Sequence, residues 1–346
     1  MDEQNSYRPK ITSIPEGVIR PLWSVMIPTY NCANYLRETL ASVLAQDPGP
    51  DLMQIEVLDD HSTKDDPAAV VEELGCGRVG FYQQPQNVGH TKNFQTCLER
   101  SRGTLIHLLH GDDCVRNGFY QKLERAFDKK PEIGAAFCRH IWMDEQSHWQ
   151  VVTKLEQSES GVLSNWLERI AVEQCIQTPS IVVRRDVYEK LGGFDSRLSW
   201  SEDWEMWVRI AAQYPVWYEV EPLAVYRIHS NSSTGRHIRT GENMQDVRRA
   251  IEIFQAYLPE TTASKLLNKA RENWALDAIV YTAPNRLAAG DMTAVMAQIS
   301  EALKCSRSLK VINKLTSLIW RIVKVWVKRQ ALQGAKLWIK PKTVYD

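Results

Sequence analysis

Strands and helices alternate three times in the first third of the chain, and this alternation limits the fold more than any other feature. Runs of β-branched and apolar residues, typical of buried strands, are separated by segments whose apolar residues repeat at helical spacing. Strands are predicted at Trp23–Ile27, Ile55–Leu58, Val79–Tyr82 and Leu105–Leu109, and helices at Tyr35–Gln46, Pro67–Leu74 and Asn87–Ser101. This rhythm predicts an α/β fold with a parallel sheet, whose ligands bind beyond the carboxyl ends of the strands.

The rhythm changes twice further along the chain. From about residue 130 the predicted strands are shorter, and after Thr240 the pattern is purely helical. The later strands are predicted at Ala135–Cys138, Ser180–Val183, Val216–Val220 and Leu223–Tyr226. A polar, glycine-containing stretch near residue 236 indicates a boundary. We therefore expect an N-terminal tail at 1–20, an α/β domain at 21–235 and a helical C-terminal region at 236–346.

Positive charge is concentrated near the C-terminal end. The 346 residues contain 42 Lys and Arg and 42 Asp and Glu, but the stretch from Ala302 to Tyr345 has 11 basic residues and no acidic one. Residues 1–301 therefore carry a net charge of −10. This distribution excludes a uniformly basic nucleic-acid-binding protein, and no nucleic-acid partner is expected.

Cysteine usage and hydropathy indicate the compartment. The seven cysteines have no paired spacing, so we expect reduced thiols rather than disulfides or a zinc site. The first residues lack the basic start and apolar core of a signal peptide, and the sequence has no uncharged apolar run of about 18 residues. We expect a cytoplasmic protein.

Acidic side chains follow two of the predicted strands. Asp59 and Asp60 end the second strand, and Asp112 and Asp113 follow the fourth. Adjacent carboxylates at the end of a buried strand are unfavourable unless they are neutralised, and a divalent cation with oxygen ligands neutralises them. For Asp112 and Asp113, a cation site and a surface loop are equally consistent with the sequence alone. Asp59 and Asp60 could accept hydrogen bonds from a nucleobase N–H or from ribose hydroxyls, but taken alone they favour a solvated turn in which Asp and Ser cap a helix.

A third acidic pair and a histidine lie further along the chain. Glu202 and Asp203 precede a helix rich in tryptophan and aliphatic residues. A carboxyl group in such a setting can have a raised pKa and act as a general base, although acidic residues also stabilise helix N-termini without any catalytic role. His229 follows a predicted strand and is either a metal ligand or an ordinary polar residue.

The order of these segments resembles glycosyltransferase family 2, a family of inverting enzymes with the A-type nucleotide-sugar fold. The resemblance runs from Ser24 to about Ser233. Six segments match in order: SVMIPTYN, LDDHSTKDD, NVGHTKN, LLHGDD, GGFD…SEDWEMWVRIA and PLAVYRIHSNSS. The resemblance implies a glycosyltransferase A-type α/β fold, with a mainly parallel central sheet flanked by helices and a C-terminal helical extension.

The resemblance also implies roles for individual residues on the donor side. Pro28, Tyr30 and Asp60 would hold the uracil and ribose of the nucleotide. Lys92 would reach the diphosphate, and Asp112 would face the ribose or the donor sugar.

Metal and base roles are implied in the same way. Asp113 would bind Mn²⁺ or Mg²⁺, with His229 as a second metal ligand. Asp203 would be the general base, with Glu202 as its neighbour. Many relatives have Asp where His110 stands, so the metal site would depend more on His229.

The implied reaction is the transfer of a hexose with inversion at the anomeric carbon. The donor would be a UDP-sugar carrying glucose, galactose or N-acetylglucosamine, and the product would be β-linked. The acceptor would be a polyprenyl-diphosphate-linked saccharide in O-antigen, capsule or exopolysaccharide synthesis. Two alternatives stay open: a nucleotide-sugar binding module without catalysis, and a sugar nucleotidyltransferase.

The segment 302–340 predicts a basic amphipathic helix. One stripe holds Lys310, Lys314, Arg321, Lys324 and Lys328; the broad opposite face holds Val311, Ile312, Leu315, Leu318, Ile319, Ile322, Val323 and Trp326. Trp320, Trp326 and Trp338 add interfacial anchors. This pattern favours a helix that lies on an anionic membrane surface, here the inner face of the plasma membrane. The alternative is a helix that packs its apolar face on the protein core.

Overall fold

The computed structural model describes residues 6–229 and 233–338. The described residues form two compact units. The first contains residues 6–229 and 249–267, and the second contains residues 233–248 and 268–338.

A ten-stranded sheet organises the first unit. Its main path runs β3-β2-β1-β4-β9-β6-β10-β5, with β7 beside β6 and β8 beside β10. The strands are β1 Trp23–Thr29, β2 Met53–Asp59, β3 Gly80–Gln83, β4 Leu105–Leu108, β5 Cys114–Val115, β6 Ala135–Met143, β7 Trp149–Val152, β8 Gly161–Val162, β9 Ile181–Arg184 and β10 Val216–Arg227. β1 to β4 are mutually parallel, which confirms the predicted α/β arrangement of the first part of the chain.

Helices cover this sheet. They are α1 Ala33–Leu44, α2 Pro67–Gly75, α3 His90–Arg100, α4 Phe119–Lys129, α5 Trp166–Ile170, α6 Arg185–Leu191 and α7 Glu202–Ala211. All seven residues of β1 and of β2 are buried, as expected for central strands of a parallel sheet. Their apolar side chains pack with α1, α2 and α4 into one core that includes Leu36, Leu40, Val57, Phe119 and Leu123.

The later part of the sheet differs from the sequence prediction in three respects. β10 is one strand, because its pairing with β6 continues through register shifts between Glu219 and Ala224 where two short strands were expected. β9 is antiparallel to both β4 and β6, and the short strands β5, β7 and β8 were not predicted. β5 and β8 have two residues each, which is too short for any periodicity to be recognised in a sequence.

The second unit is helical. It contains α8 Ser233–Thr240, α11 Ala283–Ala288, α12 Met292–Cys305 and α13 Leu309–Trp338, and a π-helical turn at Ala278–Thr282. Two further helices, α9 Glu242–Phe254 and α10 Glu260–Asp277, contribute residues to both units. The core of the second unit includes Met244, Ile279, Val295, Val311 and Leu318.

Buried charges hold the N-terminal segment of the first unit in place. Glu205 of α7 is completely buried and forms ion pairs with Arg209, at 2.9 Å, and with Arg8, at 3.5 Å. The Tyr257 hydroxyl donates a hydrogen bond to the same carboxylate. Asp195, also completely buried, pairs with Arg8 and with Arg197. Each of these charges depends on its partners, because an unpaired charge is strongly unfavourable in the interior.

Glu205→Ala should therefore lower the free energy of unfolding by roughly 3–5 kcal/mol, since it leaves the buried Arg209 guanidinium without a carboxylate and removes one of the two carboxylates that Arg8 pairs with. Urea unfolding measures the effect. Glu73→Ala is the control, because the Glu73–Arg37 ion pair is exposed and its loss should change the unfolding midpoint little. Equal shifts in both variants would contradict the prediction.

Candidate active site

The carboxyl ends of β1, β2 and β4 meet at one edge of the sheet, because these strands are parallel neighbours. The loop after β4, residues 109–113, packs directly on the end of β1. A Cβ atom at Gly111 would lie only 2.8 Å from Thr29 Oγ1, so no larger residue fits there without movement. This close approach brings Asp112 and Asp113 to the same edge as Tyr30 and Asp60.

Three side chains of this loop can hold a cation. The ligand atoms of His110, Asp112 and Asp113 all lie within 4.8 Å of one another. One oxygen of Asp113 accepts a hydrogen bond from the Arg227 backbone N–H at 2.8 Å. The other oxygen, and His110 Nε2, are buried and have no hydrogen-bond partner among the described residues.

Burial and the neighbouring Asp112 raise the pKa of Asp113 well above its usual range. An ionised carboxylate at this position therefore needs a nearby positive charge. The unpartnered Asp113 oxygen and the carboxylate of Asp112 are the hard oxygen ligands that Mg²⁺ and Mn²⁺ prefer, so the group fits a divalent cation.

His229, the other predicted metal ligand, lies against this group. Its Nε2 is 2.8 Å from Asp112 Oδ2, and its ring packs against that of Tyr35 with 5.1 Å between centroids. The His229 interaction is the largest influence that lowers the pKa of Asp112, although burial acts in the opposite direction. His229 thus orients Asp112, and its role as a direct ligand stays a prediction.

Glu202 and Asp203 occupy the first turn of α7. Asp203 is partly exposed, and its carboxylate accepts hydrogen bonds from Gln174 Nε2 at 2.7 Å and from the Trp204 backbone N–H at 2.6 Å. Glu202 is buried and pairs with His90 Nε2 at 2.9 Å. The two adjacent carboxylates therefore have different partners.

These partners separate the proton affinities of the two groups. Burial, followed by the neighbouring Glu202 charge, raises the pKa of Asp203 to about 8. The pKa of Glu202 is lowered, because its interactions with His90 outweigh the effect of burial. Two titratable groups whose surroundings drive their pKa values apart are a common mark of acid–base sites, so the pair is a candidate for proton transfer.

The residues predicted to hold the nucleotide have varied surroundings. Pro28 is buried in β1, whereas Tyr30 is 47% exposed and Lys92 lies exposed in the first turn of α3. Asp60 is 3% exposed, and its two oxygens accept hydrogen bonds from the backbone N–H groups of Val88 at 2.7 Å and Gly89 at 3.0 Å.

The Asp60 carboxylate thus fixes the loop that leads into α3. Gly89 has φ +84°, which a helix does not allow, and α3 accordingly begins at His90 rather than at the predicted Asn87. Nucleotide binding by Asp60 stays a prediction.

Sequence reasoning did not single out three residues of this site: His90, Gln174 and Arg227. His90 is 112 positions from Glu202 in the chain, and no sequence pattern pairs them. The guanidinium group of Arg227 is buried. It pairs with Glu38 at 2.9 Å and lies 4.3 Å from the centroid of the Tyr35 ring. For Arg227, its position beside a predicted metal ligand in Tyr226-Arg227-Ile-His229 was the available signal.

Known proteins resemble both the sequence and this fold. Residues 24–192 match the family model described as "Glycosyl transferase family 2". An uncharacterized protein of Mycobacterium tuberculosis, MT1568, is 31% identical over 243 residues, which cover 67% of this chain and 75% of that protein. The uncharacterized glycosyltransferase RP339 of Rickettsia prowazekii is 25% identical over 258 residues, covering 73% of this chain and 76% of that one.

Two solved structures share the fold. Residues 1–349 of TarS of S. aureus, in complex with UDP-GlcNAc, superpose with a TM-score of 0.63 at 15% identity, covering 82% of this chain and 81% of that chain. The mannosyltransferase PcManGT of Pyrobaculum calidifontis, in complex with GDP-Man and Mn²⁺, has a TM-score of 0.54 at 17% identity. The superposition covers 94% of this chain and 90% of that chain. From the family match, the relatives and the shared A-type fold, the chain belongs to glycosyltransferase family 2 and is a glycosyltransferase.

Proposed function

We propose that the protein is an inverting, metal-dependent hexosyltransferase. In this proposal it transfers glucose, galactose or N-acetylglucosamine from a UDP-sugar to a hydroxyl group of a polyprenyl-diphosphate-linked saccharide, and the product is a β-linked glycoside of O-antigen, capsule or exopolysaccharide. One observation carries the proposal: the first unit contains both a cation-binding group of His110, Asp112 and Asp113 and a separate carboxyl group, Asp203, with a raised pKa.

The two groups belong to one site. His110 and Glu202 are near enough for each charge to influence the pKa of the other. Packed rings also connect the loop that carries His110 with α3. The ring of Phe94 in α3 stacks on that of His110, with centroids 5.0 Å apart, and its centroid lies 5.6 Å from that of His90. His90 in turn holds Glu202.

The protein residues would act as follows. Asp203, oriented by Gln174, removes the proton of the acceptor hydroxyl while that oxygen attacks the anomeric carbon. The attack comes from the face opposite the leaving nucleotide, so the configuration inverts and no covalent enzyme intermediate forms. Lys92 would contact the diphosphate, and Glu202, paired with His90, keeps a negative charge beside the base.

The cation would be held by Asp113 together with Asp112 and His110, and His229 would orient Asp112 or join the ligand set. When bound, Mn²⁺ or Mg²⁺ neutralises negative charge on the diphosphate of the donor. Arg227 supports this loop, because its Nε donates to the Asp112 backbone oxygen at 2.8 Å and its own N–H donates to Asp113.

The proposed donor is suggested by two solved structures and by one exposed aromatic residue. TarS binds UDP-GlcNAc and PcManGT binds GDP-Man, and this chain shares only the fold with them. Tyr30 directly follows β1 and its ring is 47% exposed, so in this proposal the ring stacks on the nucleobase of the donor. A GDP-sugar is the alternative donor.

Membrane association of the second unit is part of the proposal, and α13 supports it. The apolar face of this helix is divided. Val311 and Leu318 are buried in the core of the second unit, whereas Ile319, Trp320 and Val323 are 48%, 68% and 45% exposed. Leu309, Ile312 and Val327 extend the exposed apolar stripe.

The basic residues flank this exposed stripe. At 100° per residue, the exposed apolar residues span roughly 100° of the helix, and Lys310, Lys314, Arg321 and Lys324 occupy the adjoining sector. An apolar stripe beside a basic one is typical of a helix that lies on an anionic lipid surface. The side chains of Trp326, Lys328 and Trp338, and residues 339–346, lie outside the described part of the chain. Among the described residues, no helix has the length and apolar character needed to cross a bilayer.

Asp203→Asn should lower kcat/KM by roughly 10²–10⁴-fold, because the amide cannot accept the hydroxyl proton. The assay measures nucleotide release from UDP-, GDP- and dTDP-sugars with Mn²⁺ or Mg²⁺ and lipid-diphosphate acceptors. UDP affinity, measured by calorimetry, should persist in the variant. Asp186→Asn, an exposed aspartate of α6, is the matched control. Turnover by Asp203→Asn at the wild-type rate would refute the base assignment, and an absence of UDP binding by the wild type would refute the donor assignment.

The pH profile tests the same base. A general base acts only when it is deprotonated, and the raised pKa of Asp203 means that the inactive protonated form dominates below about pH 8. We therefore expect kcat/KM to rise between about pH 6 and pH 9. Glu202→Gln removes the neighbouring negative charge and should shift this rise to lower pH. A profile that Glu202→Gln leaves unchanged would contradict the assignment.

Flotation with vesicles that contain phosphatidylglycerol tests the surface of α13. The double variant Arg321→Glu, Lys324→Glu should reduce vesicle binding by roughly thirtyfold, because each basic residue near an anionic surface contributes to attraction. Point variants are preferable to deletion of the helix, since deletion would remove Val311 and Leu318 from the core. The control, Lys129→Glu with Lys130→Glu, changes the net charge equally at exposed positions of the first unit. Equal flotation of both double variants would exclude α13 as the membrane-binding surface.

A further inference from the structure

A cavity of about 170 Å³ lies in the first unit, next to the proposed base. Its walls come from β6, from the segment after β7, from the loop at 173–177 and from β10. The residues that line it include Arg139, His140, Trp142, Gln174, Gln177 and Tyr218. None of these side chains belongs to the cation-binding group.

Gln174 connects the cavity to the base. Its side chain lines the cavity, and its Nε2 donates a hydrogen bond to Asp203 Oδ2 at 2.7 Å. The amide nitrogen is therefore used to position the base, and the amide oxygen is the atom that can accept a hydrogen bond from a ligand hydroxyl. A molecule that contacts Gln174 in the cavity would thus be separated from the Asp203 carboxylate by that side chain alone.

The walls have the composition that a sugar ring requires. Trp142 is half-buried and is braced by Tyr226, with ring centroids 5.2 Å apart at 77°. An aromatic ring packs well on the apolar C–H face of a pyranose, while polar wall groups bind its hydroxyls. His140 adds an unused polar group: it is 2% exposed, and neither of its ring nitrogens has a hydrogen-bond partner among the described residues.

The size of the cavity limits the occupant. Sites that enclose a whole drug-sized ligand measure roughly 300–1,000 Å³, so a cavity of about 170 Å³ suits a single ring. Its position favours the acceptor over the donor sugar. In an inverting reaction the base and the acceptor lie on one side of the anomeric carbon, and the cation and the leaving nucleotide lie on the other.

We propose that this cavity is the subsite for the terminal sugar ring of the acceptor saccharide. Trp142 packs on the ring, and the amide oxygen of Gln174 accepts a hydrogen bond from the ring hydroxyls close to Asp203. This inference rests on the proposed function, because it takes Asp203 to be the base. It adds the residues that determine acceptor specificity, which are separate from those that hold the nucleotide and the cation.

Saturation-transfer-difference NMR tests the subsite without any need for turnover. The probes are the methyl β-glycosides of glucose, galactose and N-acetylglucosamine, added to the full chain with UDP and Mg²⁺. We expect saturation transfer to at least one glycoside in the wild type and its loss in Trp142→Ala. Gln177→Ala is a second variant at the cavity wall that removes a half-buried side chain without removing an aromatic ring from the packing. UDP affinity, measured by calorimetry, reports whether each variant is folded.

Trp149→Ala is the matched control. Trp149 lies on the neighbouring strand β7, is 59% exposed and does not line the cavity. Its replacement removes the same side chain and should preserve the glycoside signal. The proposal is overturned if no glycoside gives a signal with wild-type protein that binds UDP, or if the cavity variants keep the wild-type signal. Wild-type protein that fails to bind UDP would instead refute the proposed function.

Discussion

The carboxylate of Asp113 is completely buried at the end of β4, and the arrangement of the surrounding site depends on how that charge is accommodated. One oxygen accepts the backbone N–H of Arg227, which connects the 109–113 loop to the end of β10. The Asp113 backbone oxygen accepts a hydrogen bond from Thr39 of α1 at 2.7 Å. The loop is thus held from two directions, and the second Asp113 oxygen has no hydrogen-bond partner among the described residues.

The same principle explains the two adjacent carboxylates of α7. Glu202 is buried and Asp203 is partly buried, but only Glu202 has a histidine partner, His90. Asp203 has neutral hydrogen-bond donors instead, Gln174 and a backbone N–H. Neutral donors orient a carboxyl group while compensating its charge less than an ion pair does, so the proton affinities of the neighbours diverge. The difference between two residues that are adjacent in sequence arises from elements that are distant in sequence.

This explains which features could be predicted from the sequence. The strand–helix rhythm of residues 23–109 predicts the parallel strands, and the rule that their carboxyl ends form one edge places Asp60 and Asp112 at that edge. The pairing of His90 with Glu202 and of Gln174 with Asp203 depends on the paths of loops, which periodicity does not encode. The hydrogen bonds that Asp60 accepts from the loop before α3 could not be predicted either. Their donors are backbone N–H groups, which every residue type except proline has.

The amphipathic pattern of α13 was also visible in the sequence, but the division of its apolar face was not. Because Val311 and Leu318 are anchored in the core of the second unit, α13 has a fixed rotation about its own axis. The exposed stripe around Trp320 is therefore presented by a helix that is already folded. Many amphipathic peptides become helical only when they reach a lipid surface, and the ordering of their backbone reduces their affinity. A helix that is already packed in its unit would avoid that entropic cost, so in the proposed membrane association a small apolar stripe would suffice to bind a lipid surface.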